Sequence, residues 1–117
     1  MPDVSTEHRN EILLVGRVTT PPSERELPSG DTVRSWRVTV DRDGEEPRFD
    51  VVDCTAWTAR LQRSVASWAK GDLVEIEGAL RRRFWRTPVG TLASAYDVEV
   101  VRARRVSGAV KRPRKTG

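Results

Sequence analysis

The stretch Arg81-Arg82-Arg83-Phe84-Trp85-Arg86 holds the residue types and spacing best suited to chemistry, and it continues a strand-like run that begins at Leu73. A strand's period of two puts Arg81, Arg83 and Trp85 on one side. Cations spaced along a strand can follow a phosphate backbone, and an indole beside them stacks on a base of any identity. Single-stranded nucleic acid needs that combination. The plainer account of the same residues is an edge strand kept soluble and unpaired by its arginines. Catalysis has little to work with. His8 is the only histidine and lies in a polar N-terminal stretch, which leaves no triad and no histidine-based metal site. No Gly-rich loop ending in Lys-Ser or Lys-Thr is present to cradle a phosphate. Glu75 with Glu77, and Asp97 with Glu99, are same-face carboxylate pairs, better explained by opposed charges on neighbouring strands than by acid–base work. These residues describe a binding protein rather than an enzyme, with no metal and no cofactor.

The elements that must position these side chains follow from the hydrophobic period. Ile12-Leu13-Leu14-Val15-Gly16-Arg17-Val18 is a first strand, with a glycine that suggests a bend or a close backbone approach. Residues 20–31 are rich in breakers (Pro21, Pro22, Pro28, Gly30) and read as a loop. Residues 33–40 alternate as a second strand, with Trp36, Val38 and Val40 on the apolar side and Arg37 on the other. After a turn at 41–47, residues 49–56 form a third strand. The period then changes. Leu61, Val65 and Trp68 recur at helical spacing, which predicts a helix over 59–68 with Thr58 as its cap. A long fourth strand over 73–85 is interrupted by Gly78, residues 87–90 turn, and residues 92–104 return as a fifth. Five strands with one helix between the third and fourth is the order of an OB-fold, an all-β five-stranded Greek-key barrel. A mid-strand glycine suits a barrel that must bend its strands sharply.

At 117 residues the chain is one domain. The expected boundaries are a loose N-terminus over 1–9, the barrel over 10–106 and a disordered basic tail over 107–117. The formal charge of +4 is unevenly spread. Residues 1–101 carry 14 basic against 17 acidic side chains, and positive potential is local to the 81–86 stretch and the tail. A mildly acidic body favours a defined groove over wholesale polyanion binding. Cys54 is the lone cysteine, flanked on its strand face by Val52 and Ala56, so it reads as a buried, inert thiol in a reducing compartment. Neither a signal peptide nor an apolar run long enough to cross a bilayer is visible, and a cytoplasmic, nucleoid-associated location is expected.

At this point the residues resemble a family. Asn10-Glu11-Ile12-Leu13-Leu14-Val15-Gly16-Arg17-Val18, the Leu27-Pro28-Ser29-Gly30 segment, Lys70-Gly71-Asp72-Leu73-Val74-Glu75-Ile76-Glu77-Gly78-Ala79-Leu80, and Trp85 with a glycine five residues later are similar, in order and spacing, to the bacterial single-stranded DNA-binding proteins. Cys54-Thr55-Ala56-Trp57 resembles the third-strand ending of actinobacterial members. The resemblance covers about residues 9–104. It implies an OB-fold that forms homotetramers, binds single-stranded DNA without sequence preference, and protects it during replication, repair and recombination. The competing expectation is an OB-fold that binds RNA or serves as a protein-interaction module in a larger complex.

Carried over residue by residue, the resemblance implies stacking positions at Trp57 and Trp85 and groove-lining cations at Arg81 and Arg83. Where the family often has an aromatic on the third strand this chain has Val51, with Phe49 two residues earlier on the same face. Arg17 and Arg37, on the first two strands, complete the candidate nucleic-acid-binding set. The family's aromatic between strands 2 and 3 has no counterpart in 41–48. The segment 111–115 is basic, opposite in sign to the acidic tail by which the family recruits partner enzymes. Recruitment of that kind is therefore not expected, and a specialised paralogue or a phage- or plasmid-type protein is. Trp36, Trp68 and Tyr96 are assigned to the core, and Phe84 to a plug in the barrel.

Overall fold

The computed structural model describes residues 7–108. Its elements are β1 (Ile12–Glu26), β2 (Thr32–Arg42), β3 (Arg48–Ala56), α1 (Ala59–Val65), β4 (Leu73–Arg86) and β5 (Leu92–Ser107). The strands close into a barrel in the order β1-β2-β3-β5-β4. This is the predicted OB-fold. All neighbouring pairs are antiparallel except β3 and β5, which meet in parallel from Cys54↔Val98 to Ala56↔Val100 and close the barrel.

β1 serves two neighbours in turn. Residues 12–17 pair with β4, and from Arg17 onward the strand pairs with β2. Two glycines permit the crowding this demands. A methyl on Gly16 would collide with the Thr39 carbonyl and the Val38 side chain, and one on Gly78 with the Glu99 carbonyl. At Gly16 this is the close backbone approach expected of it, whereas Gly78, expected only as a bend, is a close approach as well.

Three expectations need correction. Residues 20–26 are strand, not loop, because Pro21 and Pro22 occupy the irregularity between Thr20↔Arg37 and Ser23↔Ser35. A bulge asks no ladder hydrogen bond of a residue that has no N–H to give, so β1 runs through its prolines. The helix ends at Val65, although Trp68 is still buried beyond it. Phe84 and Tyr96 are each 56% exposed, neither plug nor core. They lie where β4 and β5 continue as a two-stranded hairpin, from Leu80↔Val98 out to Arg86↔Leu92. The same alternation that buries Val74 and Ile76 delivers Phe84 to a surface once the barrel interior has ended.

The core is built from Val18, Trp36, Val38, Cys54, Val74, Ile76, Val98 and Val100, with Leu61, Val65 and Trp68 packed onto it from the α1 segment. Thr58 caps α1 by accepting from the Leu61 N–H at 3.2 Å. Trp36 and Trp68 meet edge to face with centroids 5.5 Å apart, so both tryptophans assigned to the core are there. Burial pushes the Cys54 thiol far up from its ordinary pKa, with Asp53 and Asp97 adding to the effect, and it stays protonated and inert at neutral pH.

Two Pro-x-Gly turns close the projecting hairpins with the same hydrogen bonds. In β1–β2 Leu27 N–H donates to Asp31 O at 2.8 Å and Gly30 N–H to Leu27 O at 2.9 Å; in β4–β5 Thr87 N–H donates to Thr91 O at 2.9 Å and Gly90 N–H to Thr87 O at 2.8 Å. The two hairpins bound a cleft of about 910 Å³, lined by Thr20, Arg25, Leu27 and Pro28 on one side and Phe84, Trp85 and Tyr96 on the other.

Candidate nucleic-acid interface

Register decides which side chains share a face. Arg37 stands opposite Asp53 across β2–β3, Thr55 opposite Glu99 across β3–β5, and Arg81, Arg83 and Trp85 opposite Asp97, Ala95 and Ala93 across β5–β4. These odd-numbered positions form one outward surface running over four strands. Trp57, two residues beyond Thr55, follows on the same side. The structure thus brings together Arg37, Trp57, Arg81, Arg83 and Trp85. Phe49 shares the face at the far end of β3, exposed and opposite Asp41. Arg17, opposite Thr39, lies on the same side of the sheet but where β1 changes partners, and its guanidinium donates to the Gly71 carbonyl at 3.1 Å.

At the centre of the face lies Arg83. Its guanidinium carbon is 5.1 Å from the Trp57 ring centroid, a cation–π contact that covers one face of the indole. Its Nε–H points at both Asp97 carboxylate oxygens at 3.0 Å. Asp97, only 13% exposed in its side chain, also accepts from the Thr55 hydroxyl at 2.7 Å. Among the described residues, Arg83 Nη2 and Trp57 Nε1 are buried donors with no hydrogen-bond partner. Trp85, at the outer end of the row, is 49% exposed.

Arg37, Arg81 and Arg83 each have a carboxylate. Arg37 Nε pairs with Asp53 at 2.7 Å, Arg81 with Glu99 at 3.5 Å and Arg83 with Asp97. Three cations therefore meet three anions, and these arginines are neutralised before any ligand arrives. The sequence signal for this was the Asp97/Glu99 pair, but their partners could be known only from register. At the rim, the Arg42 hydrogen bond lowers the Asp50 carboxyl below the usual carboxylate range and raises the Arg42 guanidinium in turn.

Sequence reasoning missed the other side of the β4–β5 hairpin. There the Arg82 guanidinium carbon stands 4.8 Å from the Phe84 centroid and 5.5 Å from that of Tyr96. The signal was present in the even positions of the same hexapeptide, but the aromatics were assigned to the interior.

The closed five-stranded barrel is an OB-fold, and a row of cations and indoles crosses its outer surface. Residues 9–106 match the single-strand binding protein family, and the chain belongs to it. A single-stranded DNA-binding protein of Deinococcus radiodurans is 33% identical over 99 residues, covering 80% of this chain and 33% of the relative. One from Thermotoga maritima is 36% identical over 90 residues, covering 69% and 62%. The chain thus spans less than two thirds of the length of these two relatives. Among solved structures, a Plasmodium falciparum single-strand binding protein in complex with single-stranded DNA superposes with a TM-score of 0.74 at 18% identity, covering 92% of this chain and all of the other. The mitochondrial single-stranded DNA-binding protein of Saccharomyces cerevisiae gives 0.67 at 12% identity, covering 88% and 100%. At these identities the structural matches speak for the fold. Among the described residues no helix is long and apolar enough to cross a membrane.

Proposed function

We propose that this chain binds single-stranded DNA without sequence preference, and that it protects the strand during replication, repair or recombination as a cytoplasmic, nucleoid-associated, non-catalytic protein. The observation that carries this reading is the continuous face on which Trp57, Trp85, Arg37, Arg81 and Arg83 lie together, in a chain of the single-strand binding family. Bases stack on the indoles, and the arginines exchange their carboxylate partners for phosphates. Phe49 extends the stacking row along β3.

The working assembly is a homotetramer. Support comes from β1: residues 12–16 are hydrogen-bonded to β4 on one side, and their ladder with β2 starts only at Arg17. Leu13 on that segment is 61% exposed and Val15 is exposed beside it. An apolar strand with one free edge is a site for pairing with a second copy. Titration of tryptophan fluorescence with poly-dT, poly-U and duplex DNA tests the reading. Saturable quenching by the single strands and little by the duplex is the expected result. Equal response to duplex, or none to any of the three, would defeat it.

A further inference from the structure

We propose that the second side of the β4–β5 hairpin, built on Arg82, Phe84, Arg86 and Tyr96, is a separate lane for single-stranded nucleic acid that continues the strand held on the outer face. This rests on the proposed single-strand binding and adds a site to it.

Strand alternation gives the hairpin two unlike surfaces. One carries Arg81, Arg83 and Trp85. The other carries Leu80, Arg82, Phe84 and Arg86, facing Val98, Tyr96, Ser94 and Leu92 across the ladder. The two differ most in charge. Arg81 and Arg83 are matched by Glu99 and Asp97, whereas among the described residues neither Arg82 nor Arg86 forms an ion pair. Their hydrogen bonds go to neutral oxygens instead, Arg82 Nη2 to Ser94 Oγ at 3.2 Å and Arg86 Nη1 to the Gly90 carbonyl at 3.1 Å. The nominally basic front face is neutral, and the rear side carries two uncompensated cations.

Arg82 is also held in place. It lies against two rings, and these contacts with the Ser94 bond fix a long side chain that would otherwise lose rotamer freedom on binding. Both rings are more than half exposed, and Leu80 and Leu92 add exposed apolar surface at the same side. A contiguous apolar patch carrying unpaired cations is a liability unless something covers it. Charge complementarity selects the occupant. A strand of nucleic acid supplies phosphates for Arg82 and Arg86 and bases for the rings and the guanidinium plane. Phe84 and Tyr96 moreover line the same cleft as Trp85 and Arg83, so one strand can pass from the front row into the rear lane without leaving the protein.

The test compares the full-length parent with the Phe84→Ala/Tyr96→Ala double variant and with Arg82→Gln, using oligothymidylates of about 4 and about 16 nucleotides, the limits of what one OB-fold covers. Tryptophan quenching reports the front face and circular dichroism the fold. The substituted side chains are exposed, and Arg82→Gln alters no ring, so at least one variant reports on binding in a folded protein. The short oligomer fits the front row alone and should bind every variant within about twofold of the parent. The long oligomer should bind the double variant about tenfold or more weaker, with fewer nucleotides occluded per chain, from lost stacking. Arg82→Gln should lower the magnitude of its log-affinity against log-salt slope by about 0.7, one single-strand phosphate contact. Variants that bind the long oligomer with parental affinity, occlusion and slope would overturn the rear lane, including the case in which that side docks a protein. Failure of the parent to bind either oligomer would instead overturn the proposed function itself.

Discussion

If the front arginines are already neutralised, a groove carboxylate should weaken binding and its removal should strengthen it. Asp97→Asn is the cleanest perturbation. The amide oxygen can still accept from the Thr55 hydroxyl, while the negative charge that holds Arg83 is gone. A phosphate bound to Arg83 stands about 4 Å from the guanidinium and so about 8 Å from the carboxylate beyond it. The repulsion removed is then about 0.5 kcal/mol at the dielectric of water and about 2 kcal/mol at an effective value of 20. Affinity should therefore rise about 2- to 30-fold. The slope of log-affinity against log-salt should steepen by up to about 0.7, because no orphaned carboxylate is left to recapture a counterion. Arg83 is also freed to leave the Trp57 ring and expose it to a base. Losing the Arg83–Asp97 pair, a third exposed on its arginine side, should cost about 1 kcal/mol of stability or less. Fluorescence titration with oligothymidylate across a salt series, beside urea denaturation, measures both effects. Weaker binding at every salt concentration would refute the reasoning. It would mean that Asp97 holds Arg83 in the phosphate-binding pose rather than competing for it.

Trp85→Ala should weaken single-strand binding by about 1–3 kcal/mol with an unchanged circular dichroism spectrum, since the ring is half-exposed at the end of the row; unfolding of this variant would place the ring in the core. Gly78→Ala should lower stability by about 1–3 kcal/mol in urea denaturation, because the added methyl meets the Glu99 backbone carbonyl rather than a side chain that could move. A parental midpoint would show that the β4–β5 bulge can shift. Light scattering at micromolar concentration should give about four times the 13.2 kDa chain mass, and Leu13→Lys with Val15→Lys should dissociate that assembly by placing like charges on both copies of the strand edge; a monomeric parent would remove β1 pairing from the proposal.

The barrel was readable because its strands obey a period of two and its helix breaks that period at Leu61 and Val65. The close approach at Gly16 was readable from a glycine set inside an apolar strand, whereas Gly78 read only as a bend. Pro21 and Pro22 misled because a proline is a breaker only where the ladder needs its N–H, and a bulge is where it does not. Phe84 and Tyr96 misled for a different reason. Alternation says which side of a strand a residue faces, not how far the barrel interior extends along that strand.

Charge was the least legible property, and it bears most directly on how a single strand would be held. Counting Arg81, Arg82, Arg83 and Arg86 in sequence gives a strongly basic patch. Pairing β4 against β5 sets Asp97 and Glu99 among the odd arginines and only Ser94, Tyr96 and Leu92 among the even positions beyond the barrel. One four-cation cluster thus becomes a neutral face and a basic one on opposite sides of a single hairpin. On the proposed binding mode the neutral side holds its ligand chiefly by stacking on Trp57 and Trp85, a salt-tolerant interaction, while the salt-sensitive part of binding falls to Arg82 and Arg86. Affinity for short strands should then depend little on ionic strength and affinity for longer strands increasingly so, a trend that a single uniformly basic groove would not produce.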